Sequence, residues 1–185
     1  MRNRAGLETR SKILSAAKTV LAERGLDGLT VKAICDLAGI RAGSFYNLFN
    51  SKEQVTLTVV REAITAIDPD PERSGTDHVR DLVEAYVAFV EDQPELARVY
   101  ITIALSGGLT DPSLAQRILR HHHERLERFS EALQRDRPEL IPSAVWERSE
   151  ALVAALNGYA FHEVLDPKFD FAGHARRLMS MEPAP

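Results

Sequence analysis

This sequence predicts an all-α fold, on three observations. Apolar residues recur at i, i+3, i+4 and i+7 in segment after segment, capping residues stand at the edges of those segments, and no stretch alternates convincingly as a strand does. The predicted layout is a small three-helix head at residues 1–50, a connecting helix at 51–67, and a larger helical body at 77–185.

The elements follow in order. Ile13, Ala16, Ala17, Val20 and Leu21 line one face of a first helix, and Gly25 is placed to end it as a left-handed residue. Thr30 is a good N-cap for a second helix, with Ile34, Leu37 and Ala38 turned inward. Gly39 suits a tight interhelical turn, and a short third helix begins near Arg41 or Ala42. Ser51 and Gln54 form a capping box for a fourth helix lined by Val55, Thr58, Val59 and Ala63. The stretch Asp68–Asp77, with two prolines and a glycine, breaks the chain. Val79, Leu82, Val83, Tyr86 and Val90 mark the next helix, and Pro94 opens another that the Ser106–Gly108 run is expected to stop. A long helix from Asp111–Pro112 to about Asp136, one from Ser143 to Leu165, and a short one from Phe171 to Met181 complete the chain.

Composition narrows the class. Hydrophobic residues make up 44%, enough for a real core. The single cysteine, Cys35, excludes an intramolecular disulfide and fits a reducing compartment; no apolar run reaches bilayer length, so a cytoplasmic protein without a membrane partner is expected. The net charge of −4 is unevenly spread: residues 1–60 carry nine Lys/Arg and five Asp/Glu, 9 − 5 = +4, and residues 61–185 carry 14 − 22 = −8. A basic head on an acidic body points the head toward a polyanion.

The run Leu37–Lys52, "LAGIRAGSFYNLFNSK", gives that head a chemistry. A third helix of about seven or eight residues is below the ~12–15 at which isolated helices become marginal, so packing must hold it. Phe45, Leu48 and Phe49 fall at i, i+3 and i+4 as its anchors. Arg41, Ala42, Gly43, Ser44 and Asn47 then point outward, with Tyr46 at the edge. Small residues admit close approach, Arg41 and Asn47 can pair with guanine and adenine edges, and Tyr46 and Lys52 can reach phosphates. This is the specification of a helix-turn-helix whose second helix enters a major groove.

The segment Gly28–Val55, "GLTVKAICDLAGIRAGSFYNLFNSKEQV", closely resembles the DNA-binding signature of TetR-type (tetracycline-repressor-like) transcriptional regulators. The resemblance covers about fifty residues. It implies DNA contacts from Thr30, Ser44, Tyr46, Asn47 and Lys52 and core roles for Phe45 and Phe49; the full candidate set is Thr30, Lys32, Arg41, Ala42, Gly43, Ser44, Tyr46, Asn47 and Lys52. Three positions depart from the family pattern: Cys35 in place of alanine, Arg41 in place of a capping serine, and Leu48 where a phosphate-contacting residue often stands. The resemblance further implies a homodimer, double-stranded operator DNA as partner, and a small apolar or amphipathic effector that releases a repressor from it.

For the body, the candidate effector residues are Tyr86, Phe89, Tyr100, Ile103, Phe129, Tyr159 and His162, each of which core packing explains equally well. The candidate pairing residues are Ala151, Leu152, Ala155, Leu156 and Tyr159, small or apolar along one helix. The His121–His123 run invites a metal reading, but adjacent helical residues point about 100° apart and cannot share one ion. No cofactor, metal site or catalytic group is expected. The alternatives are a helical small-molecule-binding protein without DNA recognition, and a metal-carboxylate helical enzyme; the latter wants two Glu-x-x-His elements, which the sequence lacks.

Overall fold

The computed structural model describes residues 2–67, 75–110 and 112–179. Among them the chain forms nine helices and no strand: α1 (Arg2–Gly28), α2 (Val31–Ala38), α3 (Ala42–Tyr46), α4 (Lys52–Ile67), α5 (Val79–Asp92), α6 (Pro94–Thr110), α7 (Pro112–Asp136), α8 (Pro142–Leu165) and α9 (Phe171–Leu178). Most of the predicted break at 68–77 lies outside the described residues. The chain divides into two compact units, the first comprising residues 1–64 and 95–115, the second 65–94 and 116–185. The linear division into head, connecting helix and body therefore differs from the packing: α6 belongs with the N-terminal helices, and α4 and α7 are each cut by the division.

In the first unit, Ile13, Ala16, Ala17, Val20 and Leu21 are all buried, as the helical spacing requires. Gly25 has a positive φ of 65° with ψ −167°, non-helical values that interrupt α1 at a kink, beyond which helix resumes to Gly28. Arg4, Arg10 and Lys12 lie within α1. The helix α2 packs on α1 and on α3. Its inward stripe is Ile34 and Cys35; Leu37 is 55% exposed, because it stands about 200° round the helix from Cys35. Burial holds the Cys35 thiol above its ordinary pKa, with Asp36 adding to the shift, so it stays protonated.

In the second unit, α9 packs against α5 and α8. Two side-chain fixings hold its start and its flank. Asp170 caps it, accepting from the Gly173 amide at 2.8 Å, and a Cβ at Gly173 would come within 1.9 Å of that carboxylate. Arg176 grips Glu84 on α5 with three contacts of 2.8–3.2 Å, which hold the Glu84 carboxyl below its usual range. The segment before α5 is strapped to α7: buried Asp77 accepts from Arg128 Nε at 2.9 Å, its carbonyl accepts from Arg135, and Asp136 takes the Val79 amide at 2.9 Å and meets His78 Nδ1. The glycines at 107 and 108 do not stop α6, which continues to Thr110. The terminal helix is described only to Leu178, short of the expected Met181.

Candidate nucleic-acid interface and buried cavity

The turn between α2 and α3 is built from backbone chemistry that the local sequence supplies. Thr30 sits extended before α2 and its side chain accepts from the Ala33 amide at 3.0 Å. At the other end Gly39 is left-handed, φ 64° and ψ 36°, its amide donating to Asp36 O at 3.4 Å and the Ile40 amide to Cys35 O at 3.0 Å. Those two bonds are the Schellman pattern, which only a residue without a Cβ penalty closes cheaply.

The third helix is shorter than expected, five residues, and it closes with Leu48 and Phe49 amides donating to Phe45 O at 2.9 Å. Arg41 stands at its N-cap without a side-chain capping bond, the weakness that replacing serine there implies. Phe45 is fully buried and Phe49 nearly so, with ring centroids 6.0 Å apart; Leu48 is half-buried. Tyr46 meets Phe45 edge-on at 5.4 Å yet remains 56% exposed. Arg41, Ala42, Gly43 and Asn47 are exposed and Ser44 is half-buried. A Cβ at Gly43 would meet nothing within 4 Å and its φ is not positive, so the protein's own packing does not demand a glycine there.

The two lysines of the candidate set have partners within the chain. Lys52 Nζ donates to the Leu29 carbonyl at 3.1 Å, tying the start of α4 to the link before α2 and leaving two of its three N–H groups. Lys32 pairs with Asp36 at 2.6 Å, and that hydrogen bond raises its pKa. At the start of α4 the Gln54 amide donates to Ser51 Oγ at 3.3 Å, and the Gln54 side chain accepts from Asn50 N at 2.7 Å, one residue earlier than an ideal capping box. Arg10 of α1 lies over the Phe49 ring at 5.5 Å, a contact that sequence spacing gives no means of finding.

The second unit contains a cavity of about 270 Å³. Tyr86 and Phe129 line it, as do Leu82, Ile67, His121 and Arg125. The other candidate effector residues do not meet there. Phe89 is buried and stacks on Tyr86 at 6.2 Å outside the lining, and Tyr100 and Ile103 are buried in the first unit. Tyr159 packs near Phe169 and His174, and His162 is exposed with its ring 5.4 Å from Phe169. Sequence reasoning did not place Arg125 at a site, and it weighed His121 only as a metal ligand. Their signal was the i, i+4, i+8 row His121–Arg125–Phe129 on α7, which puts a base and a cation on the buried stripe. Burial, with Arg125 and His122 nearby, pushes the His121 pKa down to about 4. Of the three adjacent histidines one is buried, one half-buried and one exposed, and no group of three metal-ligating side chains occurs among the described residues.

On α8 the buried stripe is Val145, Ser149, Val153, Leu156 and Ala160. Leu156 therefore belongs to the protomer's own core, on the opposite side from an outer face, while Ala151 is exposed and Leu152, Ala155 and Tyr159 are half-buried. The outer face also carries exposed Ala154, Gly158, Phe161 and Leu165. No helix among the described residues is long and apolar enough to cross a membrane.

A short outward helix held by two buried phenylalanines, preceded by a capped helix and a glycine turn, defines a helix-turn-helix with a helical companion unit. Residues 13–59 match the family described as bacterial regulatory proteins, tetR family. Over those residues the chain carries that family's N-terminal domain. It is 47% identical over 53 residues to the HTH-type transcriptional repressor KstR2 of Mycolicibacterium smegmatis, a match that covers 29% of this chain. The chain spans about a quarter, 26%, of the length of that relative. The fold extends further than the sequence likeness. The fatty acid degradation regulator FadR from Bacillus halodurans superposes with a TM-score of 0.71 at 19% identity, covering 94% of this chain and 93% of that one. A complex of SmeT with triclosan superposes with a TM-score of 0.69 at 20% identity, covering 96% and 99%. The matched family is one of bacterial regulatory proteins, and the whole fold is shared with solved transcriptional regulators.

Proposed function

We propose that the protein is a homodimeric, ligand-responsive transcriptional repressor that binds operator DNA through α3 and leaves it when a small amphipathic effector binds the second unit. The carrying observation is the division of α3, with Phe45 fully buried while Arg41, Ala42, Gly43, Tyr46 and Asn47 face outward. Arg41 and Asn47 read base edges; Ser44, Tyr46 and the remaining N–H groups of Lys52 hold phosphates, as do the amides at the start of α2 beside Thr30. Lys32 reaches phosphate only in exchange for Asp36. A dimer supplies two such helices for half-sites about one helical turn, ~34–36 Å, apart. The exposed Ala151, Ala154 and Gly158 of α8, flanked by exposed Phe161 and Leu165, support pairing through that face. The ligand shifts the DNA-binding equilibrium only by its differential affinity for the two states.

The test is a mobility shift with DNA from upstream of the protein's own gene, across a salt series. Retardation at low salt that weakens steeply as salt rises is expected, because phosphate neutralisation releases counterions. Lys52→Ala is expected to weaken binding evenly across sequences, and Asn47→Ala to alter preference at particular positions. No retardation at low salt would overturn the reading, and equal sequence-blind losses in both variants would overturn the division of roles.

A further inference from the structure

We infer that the ligand of the second unit is a compact amphipathic monocarboxylate, its anionic head held by Arg125 and its apolar part laid against Tyr86, Phe129, Leu82 and Ile67. This rests on the reading of the protein as a ligand-responsive regulator and names the chemistry of its site.

Arg125 is only 8% exposed. Its guanidinium lies 4.1 Å over the Tyr86 ring and 5.6 Å from that of Phe129, and one nitrogen, Nη1, donates to Asn157 Oδ1 at 2.9 Å. The other, Nη2, is buried and has no hydrogen-bond partner among the described residues. The three groups at those distances, Tyr86, Phe129 and Asn157, are neutral. A guanidinium cannot shed its proton to escape burial, so the positive charge stays in the cavity wall. The same wall shows what a neutralised arginine looks like: Arg128, one turn on, is paired with buried Asp77. His121 adds no second charge, since burial beside Arg125 keeps it neutral at physiological pH.

The remaining charges of the lining are Glu124, Glu127 and Glu131, all exposed. Water and salt screen them, whereas Arg125 is shielded from both. They set an upper limit on ligand charge, because a doubly charged phosphate ester would pass three carboxylates to reach one guanidinium. A carboxylate carries a single charge and accepts from Nη2 in a charge-assisted bond. The cavity of about 270 Å³ lies at the small end of ligand sites, roughly 300–1,000 Å³. That favours an aryl or short alkyl acid over a long acyl chain.

The experiment compares matched acid and alcohol pairs, 4-phenylbutyrate with 4-phenylbutanol and octanoate with octanol, on the full-length protein by calorimetry and thermal shift, with the mobility shift run in parallel. The acids are expected to bind more tightly by roughly ten- to hundredfold, the range of a hydrogen bond to a charged group. Arg125→Met keeps the apolar stem and is expected to erase the preference; Arg125→Lys keeps the charge and is expected to retain part of it. Alcohols binding as tightly as acids, no acid binding across the series, or a folded Arg125→Met protein that still prefers acids would each overturn the inference. The wild-type preference decides the matter even where a variant fails to fold. The two readings fail separately. Acid binding that depends on Arg125 but leaves DNA retardation unchanged removes the effector role and keeps the anion site; release of DNA by the alcohols alone keeps the effector role and removes the anion site.

Discussion

Arg41 and Arg125 carry the same side chain in opposite settings. Arg41 heads α3 in open water, with no capping bond and no packing. Arg125 is buried between two aromatic rings and an amide, with one nitrogen unsatisfied. An exposed cation costs nothing to leave unpaired, and it gains only when a dense polyanion arrives; its contribution is long-ranged and lost to salt. A buried cation without a counter-charge is a standing cost that the surrounding structure must meet. It gains from a single well-placed anion, and salt reaches it little. On the two proposals above, Arg41 suits reading a surface and Arg125 suits filling a cavity.

The difference extends to how each region is held, and the largest expected effect tests that. The whole of α3 depends on Phe45, fully buried and in ring contact with Tyr46 and Phe49. Truncation Phe45→Ala is expected to cost about 3–5 kcal/mol, read as a lowered urea midpoint, and to abolish DNA retardation. A cost below about 1 kcal/mol would mean that α3 is anchored elsewhere. The cavity region instead depends on keeping a base neutral. His121 titrates near 4 in the folded protein, down from the usual 6.5, so between those values the unfolded chain binds the extra proton. Its stabilising share is complete above pH 6.5 and is lost as pH falls toward 4, about 3 kcal/mol over that window. His121→Gln is expected to flatten the pH dependence of the denaturation midpoint between pH 7.5 and 4.5; an unchanged slope would place the titration in another group.

How much of this was legible depended on how local each feature is. Thr30, Gly39 and Phe45 follow from spacing within a few residues, and the structure reproduces them, while α3 ends earlier and α6 later than that spacing predicts. Gly25 does interrupt the first helix as expected, but with ψ −167° it is not the left-handed helical cap of that expectation, and helix resumes beyond it, which local spacing does not announce. Lys52 bonds a backbone carbonyl 23 residues earlier, and a carbonyl has no sequence signature. Arg125 was hidden for a different reason. It lies in a run rich in arginine, histidine and glutamate, "RHHHERLERF", where a solvated cation is the ordinary expectation. Only its register between His121 and Phe129 marks it as inward, and only tertiary packing brings Tyr86 and Asn157 to it. The grouping of α6 with the N-terminal helices is likewise a tertiary fact, and it divides Tyr100 and Ile103 from the cavity that composition alone would have given them.

The smallest expected effect on stability is also the sharpest test of the outward face. Gly43 lies inside a five-residue helix with negative φ and open space where its Cβ would be. Nothing in the protein requires glycine there, and glycine in a helix costs about 0.5–1 kcal/mol relative to alanine. If the residue is small because DNA comes close to the backbone, stability and binding should move in opposite directions. Gly43→Ala is expected to raise the melting temperature slightly, by no more than ~1 kcal/mol of stability, while weakening retardation. Gly43→Leu is expected to leave the fold intact and weaken DNA binding further, since its side chain would occupy the space a groove edge needs. Measured together, melting curves and mobility shifts separate the two roles a small residue can have. Full DNA affinity in Gly43→Leu would show that this edge of α3 does not face the groove, and Arg41 beside it would lose its assignment as a base reader with it.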